Sequence, residues 1–174
     1  MSRLPIQCAM VIAIALPSLV SVHGQDANDY NVRIPPFMSI RALRPDQTQT
    51  HPETAGDITF TNSLWLARTA SSSGSTVTFA IDHSFINQLN NSFRRDVRLR
   101  TPRMFVTRNS GWGFDTFQDQ SNYVNGDEIA QVQVSSTGPG AALVFLEVTF
   151  ITADLATLHD GDYQLTVIGT ISEN

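Results

Sequence analysis

Apolar and polar residues alternate one for one along much of this chain, in runs too short for helices and divided by turn residues. Val77, Phe79 and Ile81 alternate with Thr76, Thr78 and Ala80. Ala130, Val132 and Val134 repeat the pattern, as do Trp112, Phe114 and Thr116 among Gly113, Asp115 and Phe117. A period of two puts alternate side chains on opposite faces, so each run predicts a half-buried β-strand. Ala141–Ile151 differs. Its centre, Leu143-Val144-Phe145-Leu146, is apolar on both faces, which predicts a central strand covered on both sides. Val97–Arg100 and Met104–Thr107 read as two strands separated by Thr101-Pro102. Turn signals fall at Ser71–Ser75 around Gly74, at Asn109-Ser110-Gly111, at Asn125-Gly126 and at Thr137-Gly138-Pro139-Gly140. Helical spacing is confined to short turns within Phe85–Phe93 and Asp154–Leu158. Recurrent strands without a long amphipathic helix predict an all-β fold, an immunoglobulin-like antiparallel β-sandwich.

The N-terminus has a different character. Arg3 precedes an apolar run from Ile6 to Val20, Pro17 interrupts it, and Val22-His23-Gly24 stands before Gln25. That charged, apolar, cleavage-site order is the pattern of a secretory signal peptide. The run, roughly 15 residues, is shorter than the ~20 a spanning helix needs. The expectation is a cleaved signal at 1–24 and a single domain at 25–174, secreted, periplasmic or at the cell surface, with no membrane span after cleavage. The domain would open on an arm in which Tyr30, Val32 and Ile34 alternate with polar neighbours before Pro35-Pro36. Two consecutive prolines suit an edge or a kink rather than a central strand. Arg44–Gly56 reads as a loop.

Several function classes fall away on composition. The only cysteine, Cys8, lies in the predicted signal, so the exported chain has no thiol for a disulfide, a nucleophile or a metal. Gln25–Asn174 carries ten basic and sixteen acidic side chains, a net charge of −6 against −5 for the whole chain. An acidic surface argues against nucleic acid and anionic membranes as general partners. His51, His83 and His159 lie far apart, with no His-x-x-x-His or His-Glu-x-x-His spacing to hold zinc. No Gly-x-Ser-x-Gly elbow marks a serine nucleophile. Asp127-Glu128 and Asp160/Asp162 fall in turns, where Asp bonds to local backbone. Asp160-Gly161-Asp162 offers two carboxylates to a calcium ion, short of the six to eight oxygens the ion takes. No catalytic residue, metal site or cofactor is therefore assigned.

Basic side chains are all arginine, and six of them crowd one stretch: Arg94, Arg95, Arg98, Arg100, Arg103 and Arg108, with Asp96 the only acid among them. If Val97 and Leu99 face the core, Arg98 and Arg100 share the outer face. Guanidinium forks grip carboxylate or sulfate, as on an acidic polysaccharide or an acidic partner subunit. The plainer reading is a charged edge that deters aggregation. Trp112, between two glycines, and Tyr123 are candidate sugar-stacking rings, whereas Trp65, between two leucines, reads as core.

Asp160-Gly161 followed by Tyr163 at a strand start has the form of a tyrosine corner, in which backbone hydrogen bonds hold the phenol. The segment Gly161-Asp162-Tyr163-Gln164-Leu165-Thr166-Val167-Ile168-Gly169-Thr170-Ile171 resembles the end of secreted bacterial sandwich domains of the spore-coat-protein-U and fimbrial-subunit type. The cysteine pairs of many fimbrial subunits are missing here. The resemblance implies an assembly role at the cell surface and no activity. The expectation is an exported, non-catalytic structural or adhesive subunit, its partner another copy or another surface subunit. A binding module for an acidic polysaccharide is the alternative, and a hydrolase the third.

Overall fold

The computed structural model describes residues 37–52 and 54–174; the predicted signal and the Tyr30–Ile34 arm lie outside them. Among the described residues twelve strands form: β1 (Met38–Ala42), β2 (Ile58–Thr69), β3 (Ser75–Ile81), β4 (Phe85–Asn87), β5 (Arg94–Arg95), β6 (Val97–Val106), β7 (Gly113–Thr116), β8 (Gln118–Gln120), β9 (Ala130–Ser135), β10 (Gly140–Phe150), β11 (Tyr163–Gln164) and β12 (Ile168–Glu173). Short 3₁₀ turns occupy Tyr123–Asn125 and Leu155–Thr157. The strands make a five-stranded sheet ordered β1-β2-β10-β6-β8, a four-stranded sheet ordered β12-β3-β9-β7 and a small sheet ordered β11-β4-β5. Their pairings are antiparallel. The chain is a β-sandwich.

The period-2 runs explain the core. Val77, Phe79 and Ile81 of β3, with Ala130, Val132 and Val134 of β9, point inward and meet Val97 and Leu99 of β6 and Ala142, Val144 and Leu146 of β10. Full burial of each Val or Leu contributes about 1.5–3 kcal/mol. Apolar contact across the two sheets is what holds the described domain together.

Three local expectations change. Thr101-Pro102 does not separate a pair of strands; β6 runs through it. Between the pairs Phe145↔Arg103 and Glu147↔Arg100, Thr101 and Pro102 oppose the single residue Leu146. That is a β-bulge, where a proline without an N–H can sit in a strand. Phe85–Phe93 holds no helical turn. Asn87, fully buried, accepts bonds on Oδ1 from the amides of Leu89 (2.8 Å) and Asn90 (3.2 Å), and turns the chain after β4. β10 is central, between β2 and β6, but is covered on one face only, because Leu143 and Phe145 stay half-exposed on the other. The Asp154 turn forms as expected, its carboxylate accepting from Ala156 N at 2.9 Å.

Candidate functional site

The sandwich closes unevenly along β2. β1 pairs with Trp65–Thr69 alone, and a last backbone bond runs from Leu43 N to Leu64 O at 2.8 Å. Here the sheets touch: a methyl added at Gly169 would lie 2.7 Å from Trp65 Cζ3 and 3.0 Å from Ile40 Cδ1. Beyond Ala42 the chain leaves the sheet as a strap. It bends at Leu43-Arg44 and returns at His51, whose Nε2 bonds Thr152 Oγ1 at 2.9 Å. Gln49 Nε2 donates to Thr59 O at 3.1 Å on the way. Between strap, β2 and the β11 region lies a groove of about 1090 Å³.

Its walls are buried and half-buried apolar residues. Ile58 and Phe60 come from β2, Phe85 from β4, Phe150 from β10, and Tyr163, Leu165 and Val167 from the C-terminal segment. Aromatic rings run along it in contact: Phe60 to Phe85 at 6.5 Å, Phe85 to Phe150 at 5.1 Å, and Phe150 to Tyr163 at 5.3 Å between centroids. Among the described residues, no strand pairs with the outer edge of β2 over 58–63. The groove therefore combines apolar pockets with a strand edge on which Gln49 of the strap holds one carbonyl, that of Thr59; apolar pockets beside a strand edge are the two elements that hold an extended peptide.

The C-terminal corner borders this groove, and it differs from the expected one. The Tyr163 hydroxyl is buried and has no hydrogen-bond partner among the described residues. Asn87 ties the corner instead. Its Nδ2 donates to Asp160 O at 2.8 Å, and Gln88 N donates to Asp162 O at 2.8 Å. Gly161, at φ 121, packs so closely that an added methyl would lie 2.9 Å from Asn87 Nδ2.

The arginine stretch is split by the fold. Arg94 pairs with Glu128, and Arg95 is buried with its guanidinium on Thr157 O and, at 2.9 Å, on Thr157 Oγ1. Arg98 reaches Asp57 at 3.4 Å and Arg100 reaches Glu147 at 3.7 Å. Arg103 lies 4.0 Å above the Phe145 ring, and Arg100 also lies 4.9 Å above Phe117. Arg108 is exposed in the turn after β6. Trp112 is not an accessible ring: it is 8 % exposed and belongs to the core, while Trp65 borders the groove. Tyr123, half-buried in its 3₁₀ turn, donates its amide to Asp96 Oδ1 at 2.8 Å. The arginines and the two rings thus do not gather on one face.

Among the described residues, no three His, Asp or Glu side chains gather as a metal site would require. His51 is held by Thr152, His159 stacks on Phe93 at 3.5 Å, and His83 meets Asp82 at 3.5 Å. No protein-family model matches the chain, and comparison with curated proteins finds no similar sequence.

Proposed function

We propose that this chain is an exported, non-catalytic assembly subunit whose groove receives an extended strand from a neighbouring copy. The observation that carries the reading is an apolar groove beside an edge of β2, over 58–63, that no described strand pairs. Six residues of edge measure roughly 20 Å, and any five residues in strand conformation span roughly 17 Å, the reach needed of Tyr30–Ile34. The arm's alternation would seat Tyr30, Val32 and Ile34 on the apolar side and leave Asn31 and Arg33 outward. The arm joins the domain at Phe37, just before β1 pairs with Thr69, at the end of β2 away from the groove. That tether favours an arm arriving from a neighbour. The resemblance to spore-coat-protein-U and fimbrial-subunit domains agrees with this role. An acidic-glycan module is less well supported, because Trp112 is buried and Arg94 and Arg95 are engaged within the domain.

Size-exclusion chromatography with light scattering on Gln25–Asn174, beside a form lacking Gln25–Ile34, tests the proposal. The longer form is expected to reach a larger mass than the shorter at the same concentration, with both folded. Equal masses for the two folded forms would remove the reading.

A further inference from the structure

The outer face of the five-stranded sheet is unusual for a surface. Register and burial alternation place Arg41, Leu66, Leu143 and Phe105 in one row across β1, β2, β10 and β6. The next row is Leu64, Phe145 and Arg103. An antiparallel sheet with one solvated face normally carries polar residues there. Here leucine and phenylalanine fill the centre, with Phe105 61 % exposed. Arginines flank them: Arg41 and Arg68 on one side, Arg103 and Arg100 on the other. Arg41, Arg68 and Arg103 have no acidic partner among the described residues. An apolar centre rimmed by arginine is the anatomy of a protein-binding patch. Of the two described aromatic rings on this face, Phe145 is covered by Arg103 and Phe105 stays open.

The complementary shape is on the same chain. Leu89, in the turn after β4, is 77 % exposed, the highest value among the exposed large apolar residues described. It packs beside Gly161, where an added methyl would lie 3.1 Å from Leu89 Cδ1, and Asp160 and Asp162 flank that glycine. Both aspartates are exposed and neither has a basic partner among the described residues. This is an apolar tip flanked by acids, opposite in charge to an apolar stripe flanked by arginines. It borders the groove, on the inner side of the five-stranded sheet, whereas the basic patch is that sheet's outer side.

We infer that copies of this chain dock end to face: the Leu89–Asp160–Asp162 knob of one seats on the Arg41–Leu66–Leu143–Phe105 face of the next. The contact is heterologous, so it propagates from copy to copy rather than closing a symmetric pair. It needs no arm, and although Asp160 and Asp162 also line the groove, Leu89 and the receiving face lie outside that lining.

The test is pairwise binding between exported chains, read by surface-captured titration. A face variant carries Arg41→Glu and Phe105→Ser, and a knob variant carries Leu89→Arg. All three positions are exposed and outside the groove lining, and circular dichroism checks folding. Arg41→Glu alone serves if the double face variant fails to fold. Strand addition contributes equally to every pair, so differences between pairs read the docking contact. The mixed pair retains one intact knob facing one intact face, and is expected to bind roughly tenfold or more tightly than either variant binds itself. The advantage should shrink as salt rises. Equal affinity in all three pairings would overturn the inference. So would equal pairings together with loss of retention of the face variant on an immobilised anionic polysaccharide, which would assign the face to a glycan.

Discussion

Asn87 shows how one side chain can set a corner that no pattern announces. It is fully buried and serves three backbone groups, two amides on its own turn and the Asp160 carbonyl seventy-three positions away. In sequence it reads only as a residue that weakens a helix, because its long-range partner is invisible there. Asn87→Ala should leave those groups without partners and cost about 2–4 kcal/mol, measured as a shift in the urea midpoint at constant slope. Tyr163→Phe should cost less than about 1 kcal/mol, since its hydroxyl has no partner to lose. Trp112 is the opposite lesson. Flanking glycines suggested an accessible ring, but the indole is buried in the core; Gly111 packs against Thr137, whereas Gly113 has open space beside it.

At the scale of elements, the period-2 strands were legible because alternation is local. β3, β6 and β9 carry their inward set as the sequence predicts. What sequence does not carry is which neighbours cover a strand. β10 is apolar on both faces, and the two faces have separate uses: Leu146 in the core, Leu143 on the outer patch. Leu146→Ala should therefore cost about 2–5 kcal/mol, whereas Leu143→Ala should cost about 1 kcal/mol or less. Thermal or urea unfolding of the pair separates them. Equal losses would mean that the outer face is covered. The groove was illegible for the same reason. It arises where β1 stops short of β2, and strand lengths are matched only in the folded sheet.

On the scale of the whole molecule, the sandwich is a stable frame that leaves one seam of its core open. A strand edge that no described strand pairs, beside an apolar groove, is an aggregation hazard unless a partner occupies it. Strand addition by a neighbour, as proposed, would cover both at once. The cysteine-free domain allows a direct measurement. Arg33→Cys or Asn31→Cys in one copy is mixed with Thr61→Cys in another under mild oxidation, and products are read on a non-reducing gel. Residues facing each other on paired strands lie about 4.5–5.5 Å apart at Cα, within the range a disulfide spans. Strand addition predicts an intermolecular disulfide for one arm position and little for the other, because the pairing has a register. No cross-link from either position, in a mixture that light scattering shows to be assembled, would contradict strand addition into this groove.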